Sequence, residues 1–208
     1  MIAASAYYGP RIPEAHELAE RVRTVSVLPA AVAGILLGAL IVFRMTRGTL
    51  RSLGVSRGRP RDLTASAALG LAMSLAYVFV LDRLSVEPTR PWGPLVELAS
   101  RPGWQRDLWS VIAIGIAPPI EEFLFRGVLF QGLASVWGPM ISATAVTVLF
   151  SLFHLPETIS YWPAIIAVAI MAVIAMTVRL RTGSLGPAVA LHAAYNAGLV
   201  LCMYLGVE

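Results

Sequence analysis

Lysine is absent from this 208-residue chain, and all 16 of its basic residues are arginine. Charge of either sign is scarce as well, because the charged residues make up only 13% of the chain. A soluble domain usually carries about 25% charged residues. Hydrophobic residues account for 57% of the chain, and the mean hydropathy is +0.74. These proportions exclude an ordinary soluble domain and predict a polytopic membrane protein.

Cysteine is nearly absent too, since Cys202 is the only one. An intrachain disulfide is therefore excluded. Cys202 lies in the last apolar run without a neighbouring charged group to stabilise a thiolate, so it is not a candidate nucleophile. The net charge of +4 does not indicate a nucleic-acid partner, because the arginines lie mostly in loops, where they orient membrane spans and contact lipid headgroups.

Apolar runs divide the chain into three parts. Residues 1–23 form a polar N-terminal segment. Residues 24–107 hold two transmembrane spans, with a basic loop between them and an interfacial loop after them, and residues 108–206 form the core that carries the polar motifs. We predict an all-α fold, a polytopic transmembrane helix bundle of about six spans. The predicted spans cover residues 24–43, 63–81, 108–134, 140–155, 163–178 and 188–206.

The loop at residues 44–62 is the most basic segment, with six arginines against the single acid Asp62. Arginine-rich loops of membrane proteins face the cytoplasm, so we predict that this loop is cytoplasmic. The third span then runs from the outside to the inside. On this topology Glu121 falls near the middle of the membrane or toward its outer half.

The third span is where charge enters the apolar core. Glu121, Glu122 and Arg126 follow shortly after a pair of prolines. A charge at the bilayer centre costs roughly 2.5–3.5 kcal/mol on insertion scales, so such a cluster needs a reason. Proline breaks a helix interior but is accepted in a first turn. We therefore predict a Pro-broken third span, in which a new helical segment starts near Pro118 and carries both glutamates in its first turn.

Polar side chains recur in three apolar segments, and i, i+4 spacing places each pair on one helix face. Arg126 can reach back over one turn to Glu122, and His192 shares a stripe of the sixth span with Asn196. His154 stands at the end of the fourth span. Because polar groups inside a membrane pair with each other or with water, these segments are predicted to meet around a polar cavity.

Hydrolysis is the chemistry that such a cavity supports. Glu121 with His154 could activate a water molecule. His192 and Asn196 could donate hydrogen bonds to the oxyanion of a tetrahedral intermediate. A structural interpretation stays open for each group by itself, because an intramembrane ion pair or a histidine–asparagine stripe also stabilises contacts between helices.

The three motifs resemble those of the CAAX-protease and bacteriocin-processing family, also called the Abi family, which includes the type II CAAX prenyl endopeptidases. The family motifs are Glu-Glu-xxx-Arg, Phe-xxx-His and His-xxx-Asn or His-xxx-Asp. They are matched here by Glu121, Glu122 and Arg126, by Phe150 and His154, and by His192 and Asn196. The resemblance covers about residues 108–200 and implies an intramembrane endopeptidase.

The resemblance also implies a role for each residue. Glu121 would be the general base, and His154 would help to hold the water. His192 and Asn196 would form the oxyanion site, and the ion pair on the third span would support the geometry. If the enzyme depended on a metal, Glu121, His154 and His192 would be the zinc ligands. We expect a metal-free site, because the asparagine and the paired glutamates suit hydrogen-bond catalysis better.

Two rival functions are open at this point. One is a non-catalytic immunity or scaffold protein of the same family, and the other is a small transporter with a glutamate–histidine proton relay. For an endopeptidase, the expected partners are a membrane-protein or lipidated-peptide substrate and the lipid bilayer, with no nucleic acid. We expect an integral membrane protein of a bacterial or archaeal cell membrane.

Overall fold

The computed structural model describes residues 52–84, 103–159 and 161–206, which all lie within the unit Val42–Glu208. Of the described residues, 88% are helical and none lies in a strand. The predicted all-α fold is therefore confirmed. The polar segment at residues 1–23, the first predicted span and most of the interfacial loop lie outside the described residues.

Every predicted span that the structure describes is helical, and the third is a composite of five consecutive segments. Helix α1 covers Pro60–Leu84. The composite helix alternates without a gap between α-helical and π-helical hydrogen bonding. Its segments are α2 (Trp104–Val111), π1 (Ile112–Ile116), α3 (Ala117–Glu122), π2 (Phe123–Leu129) and α4 (Phe130–Trp137). The remaining helices are α5 (Pro139–Phe153), α6 (Leu155–Thr158), α7 (Trp162–Thr182) and α8 (Leu185–Leu205).

Within the described residues, four helices are long and apolar enough to cross a membrane, namely α1, the composite helix, α7 and α8. Helix α5 is apolar but has only 15 residues. At 1.5 Å per residue it is about 22 Å long, shorter than a hydrocarbon core of about 30 Å. Large apolar side chains such as Phe79 and Val173 are exposed on these helices, which is typical of surfaces that contact lipid.

The proline pair changes the type of helix but does not begin a new one. Pro118 and Pro119 lie in the first turn of α3, yet the helical path enters α3 directly from π1. Glu121 and Glu122 are the last two residues of α3, so the prediction that they lie in its first turn is wrong. The wider π turn makes room for the proline rings, which would clash with preceding carbonyls in a regular α-helix.

Helix α1 packs along α8 at very close range, because both helices carry glycine at the contact. A Cβ atom added at Gly70 would collide with the carbonyl oxygen of Leu191, and one added at Gly198 would collide with the hydroxyl of Ser74. The residue numbers of both contacts increase together, so the two helices run parallel. This packing fixes the axial position of α8, which carries the third polar motif.

The loop before α1 is held against the start of α8. The amide of Leu185 donates to the carbonyl of Gly54 at 2.8 Å, and the amide of Gly186 donates to the carbonyl of Ser56 at 3.2 Å. The Ser184 hydroxyl caps α8 by accepting from the amide of Gly186. We call this end of the described helices, formed by Gly54, Ser56 and Leu185, the basic end, because the predicted cytoplasmic arginines flank it.

Candidate active site

Three of the predicted site residues converge on one carboxylate oxygen. Oε2 of Glu121, in α3, lies 3.6 Å from Nε2 of His154 and 3.9 Å from Nε2 of His192. His154 directly follows the last residue of α5, and His192 lies in α8. Three separate helices therefore supply these groups, which is the convergence that a shared polar cavity requires.

A buried chain of charged and polar groups lies beside this cluster. Oε1 of Glu122 is 3.2 Å from Nη1 of Arg126 and accepts a hydrogen bond from Nδ1 of His192 at 3.0 Å. Nη2 of Arg126 donates to the carbonyl of Ala172 in α7 at 3.2 Å, and its guanidinium carbon lies 4.0 Å from the centre of the Phe150 ring. Glu122 and Arg126 are fully buried, so each charge compensates the other.

The two glutamates differ in their access to solvent. The side chain of Glu121 is 19% exposed and that of His154 is 24% exposed, whereas that of Glu122 is completely buried. Oε2 of Glu121 is itself buried and has no hydrogen-bond partner among the described residues, so the exposed part of this side chain lies at its other atoms. Of the two glutamates, only Glu121 has side-chain surface open to solvent.

The hydrogen bond on the far side of each imidazole decides which ring nitrogen carries the hydrogen. Nδ1 of His192 faces the Glu122 carboxylate, and Nδ1 of His154 lies 3.0 Å from the carbonyl oxygen of Phe150. Both partners only accept, so Nδ1 is the donor in each ring. In the neutral rings both Nε2 atoms then present a lone pair toward Glu121. The separations of 3.6 and 3.9 Å are too long for direct hydrogen bonds, so the three groups face one another without being bonded.

Phe150, the first residue of the Phe-xxx-His motif, packs against both imidazoles. Its ring centroid lies 4.5 Å from that of His154 and 5.9 Å from that of His192. Phe125 meets it edge-on at 5.0 Å, and the Phe150 side chain is fully buried. The motif thus places an aromatic packing group one turn before a hydrogen-bonding group.

Asn196 is oriented by a backbone carbonyl that the helix leaves open. The amide of Ala117 donates to Ile112 across the π1 turn and passes over Ala113. The next amide in line would belong to Pro118, which has no N–H. The Ala113 carbonyl accepts instead a 2.7 Å hydrogen bond from Nδ2 of Asn196. The second hydrogen on Nδ2 is then available to a ligand.

The cluster lies between the basic end and the middle of α8. His192 comes seven residues after Leu185, about 10 Å along the axis, and is about 20 Å from Leu205 at the opposite end. The depth of Glu121 in the membrane stays a prediction. Because α5 ends after only 15 residues, it brings His154 to the same level as the other two groups.

Glu121, His154 and His192 supply the donor types of a catalytic zinc site, two imidazoles and one carboxylate. Ligand atoms on a tetrahedral zinc ion lie about 3.4 Å apart. The separations observed here are wider, at 3.6 and 3.9 Å. Within residues 52–84, 103–159 and 161–206, no group of three histidine, cysteine or acidic side chains is arranged to hold a metal ion. As arranged here, the three side chains do not fit zinc.

Two partners of the site are backbone groups that the sequence reasoning missed. The carbonyl oxygens of Ala113 and Ala172 accept hydrogen bonds from Asn196 and Arg126. A carbonyl inside a helix accepts a hydrogen bond from a side chain only where the local geometry leaves it open. An alanine in the sequence does not indicate where this happens. For Ala113 a signal did exist, because Pro118 removes one donor from an apolar helix.

Comparison with known proteins agrees with the motif resemblance. Residues 103–198 match the model of a family described as type II CAAX prenyl endopeptidase Rce1-like. No significant match was found among curated proteins or among solved structures. The matched segment includes all six predicted site residues, and it confirms the resemblance inferred from their motifs. That family is one of proteases. The match, together with the four long apolar helices of the described residues, indicates a membrane protein that is similar to them over residues 103–198.

Proposed function

We propose that this chain, similar over residues 103–198 to the Rce1-like type II CAAX prenyl endopeptidases, is an intramembrane endopeptidase. It would hydrolyse a peptide bond of a membrane-associated or lipidated protein. The observation that carries the proposal is the convergence of Nε2 of His154 and of His192 on Oε2 of Glu121, which has no direct hydrogen bond to either. Side chains that served only to join helices would form direct hydrogen bonds with one another.

Water activation is assigned to Glu121 and His154. A water that lies beside both groups donates one hydrogen to Oε2 of Glu121 and the other to the lone pair on Nε2 of His154. Glu121 takes the first proton while the water oxygen attacks the carbonyl carbon of the scissile bond. A carbon–oxygen bond forms, and the electron pair of the carbonyl double bond moves to its oxygen. The result is a tetrahedral oxyanion.

The oxyanion is assigned to two donors on α8. Asn196 donates through the Nδ2 hydrogen that the Ala113 carbonyl does not use. His192 donates from Nε2 when that nitrogen carries a hydrogen, and the hydrogen bond from Nδ1 to Glu122 orients the ring. A donor of this kind contributes about 2.7–4 kcal/mol in a soluble enzyme. Glu121 finally gives its proton to the leaving amine as the carbon–nitrogen bond breaks, which restores the carboxylate.

The proposed partners are a membrane-protein or lipidated-peptide substrate and the lipid bilayer, with no nucleic acid. An open groove of about 490 Å³ at the basic end supports this choice, because its lining is mostly apolar and includes Val55, Phe123 and Val189. The position of His192 nearer that end supports entry of the substrate from the same side. We propose a bacterial or archaeal cell membrane as the location.

Reconstitution of the purified chain in liposomes tests the proposal. The substrates are a panel of membrane peptides that includes a prenylated C-terminal peptide and its unmodified form. Wild type is compared with Glu121→Ala, each with and without a metal chelator. Cleavage that is lost in the variant but insensitive to the chelator supports the metal-free mechanism. Loss of cleavage with the chelator and its recovery on adding zinc would contradict the metal-free mechanism.

The Glu121→Ala variant also separates the two rival functions. In cells, a scaffold or immunity protein would keep its full biological effect in this variant. A proton-relay transporter would instead show proton flux across the vesicle membrane that vanishes with this substitution. Either result, in the absence of peptide cleavage, would replace the protease proposal.

Replacing the fully buried Pro118 by alanine is expected to lower the unfolding temperature, because the lost ring leaves a cavity, and to lower kcat about 3–10-fold. Alanine restores an N–H that competes for the Ala113 carbonyl, so the amide of Asn196 loses its fixed orientation. Thermal unfolding and peptide cleavage measured on one preparation would check both effects.

Pro119→Ala is the matched control for this prediction. Pro119 also lies in the first turn of α3, but its missing N–H does not face the Ala113 carbonyl. Pro119→Ala is therefore expected to leave kcat within about 2-fold of the wild type and, because Pro119 is exposed, to change stability less than Pro118→Ala does. Equal kcat values for the two variants would contradict the role assigned to Pro118.

A further inference from the structure

Arg179 is a buried cation that belongs to none of the three motifs. It lies in the last turn of α7 and is 7% exposed. Its Nε–H donates to the backbone carbonyl of Arg126 at 3.2 Å, and the described residues offer it no carboxylate. A buried arginine without an acidic partner is costly. Arg181, two residues later in the same turn, is exposed and carries no such penalty.

The carbonyl that Arg179 contacts is left open by the π2 segment. At the end of π2, the amide of Phe130 donates to the carbonyls of Phe125 and Gly127 and passes over Arg126. In an α-helix that amide would bond to Arg126, four residues earlier. The change of helix type thus presents the Arg126 carbonyl to a side chain from another helix.

Helix α7 therefore holds Arg126 at both of its ends. The guanidinium of Arg126 donates to the carbonyl of Ala172, and its backbone carbonyl accepts from Arg179. Ala172 and Arg179 are seven residues apart, about two helical turns, so they lie on one face of α7. One helix face thus fixes both the side chain and the main chain of the residue that pairs with Glu122.

The guanidinium of Arg179 is itself closely packed. A Cβ atom added at Gly54 would lie only 2.5 Å from its guanidinium carbon. The centre of the Phe130 ring lies 5.8 Å from the same carbon. Such packing restricts the side chain to few rotamers and keeps its Nε–H directed at Arg126.

We propose that Arg179 is a positioning residue of the active site, an inference that rests on the proposed protease function. Its Nε–H fixes the main chain of Arg126, so that the Arg126 guanidinium reaches Glu122 and Glu122 in turn holds His192. A misplacement of about 1 Å in such a chain lowers a catalysed rate by about 10²-fold. Arg179 touches none of the reacting groups and acts only through Arg126.

Two substitutions of equal length isolate the hydrogen bond. Glutamine places an N–H at the position of the arginine Nε, whereas methionine places a methyl group there, and neither carries a charge. We expect kcat of Arg179→Gln to stay within about 3-fold of the wild type and that of Arg179→Met to fall about 10–100-fold. KM should change by less than about 3-fold in both Arg179 variants, because the side chain at position 179 does not bind the substrate in this proposal. Arg181→Met is the control and should leave kcat unchanged.

Amide hydrogen exchange provides a readout that does not depend on cleavage. With the whole chain in lipid nanodiscs, residues 123–130 of Arg179→Met are expected to exchange about tenfold faster than in the wild type. Arg179→Gln should exchange as the wild type does. The increase should be confined to this segment, since the other helices keep their contacts.

The outcomes separate this inference from the protease proposal. If the wild type cleaves none of the peptides, the proposed function fails, and the exchange comparison still decides whether Arg179 holds the π2 segment. The positioning role is overturned if Arg179→Met keeps the wild-type kcat, if Arg179→Gln is as impaired as Arg179→Met, or if local exchange is unchanged. Fast exchange in every helix of Arg179→Met would assign the residue to stability alone and would overturn the role as well.

Discussion

Replacing Glu121 by glutamine is expected to lower kcat for peptide cleavage by about 10²–10⁴-fold. Glutamine keeps the shape of the side chain but cannot take a proton from the attacking water. KM is expected to change little, because the lost group acts on the water and not on the bound peptide. Initial rates over a range of peptide concentrations in the reconstituted system would give both constants.

The neighbouring glutamate supplies the matched comparison. Glu122→Gln removes a charge one residue away, but it leaves Arg126 buried without its partner and is expected to reduce stability as well as activity. Glu121→Gln alters a partly exposed carboxylate and should keep the wild-type unfolding temperature within a few degrees. Cleavage by Glu121→Gln at more than about a tenth of the wild-type rate would exclude Glu121 as the general base.

Replacing Arg126 by methionine is expected to lower the free energy of unfolding by about 3–5 kcal/mol. The Glu122 carboxylate, completely buried and 3.2 Å from the guanidinium, would be left without a cation. Methionine is long, flexible and apolar, so it fills much of the vacated space and the effect is mainly one of charge. Denaturant titration of the protein in detergent micelles would measure the change.

The double variant Glu122→Gln, Arg126→Met separates charge from volume. Removing both charges is expected to recover most of the lost stability, because a buried ion pair contributes little net stability over neutral side chains. It should not recover cleavage, since His192 no longer has a carboxylate at Nδ1 to orient its ring. Arg181→Met gives the baseline for losing an exposed arginine. A double variant as unstable as Arg126→Met would show that packing causes the loss.

Much of the helical architecture was predictable, because it depends on local properties of the chain. Long uncharged runs predicted α1, the composite helix, α7 and α8, and the predicted ranges 63–81 and 163–178 fall inside α1 and α7. The i, i+4 spacing likewise predicted that Arg126 reaches Glu122, and the two side chains are 3.2 Å apart. Hydropathy and helical periodicity were sufficient for these features.

The remaining features depend on tertiary contacts that no local pattern encodes. A π turn persists where a distant group satisfies the carbonyl that it leaves open, and here those groups are Asn196 for π1 and Arg179 for π2. The two proline rings gave a sign of irregularity near π1, although the first-turn position inferred for Glu121 was wrong. Residues 123–129 include Arg126 and Gly127, but neither residue type by itself predicts the π segment π2.

The two π segments act on the composite helix as two single-residue insertions would. Asp107 and Gly127 are about 20 residues apart. In a regular α-helix they would lie on nearly opposite faces, about 200° apart around the axis. Each π segment rotates the following residues back by about 100°. Asp107 can therefore accept a hydrogen bond from Tyr204 while Gly127 packs near Leu185, both in α8. The side of the composite helix that faces α8 therefore depends on its exact number of residues. Deleting one residue would rotate all the residues after the deletion away from α8.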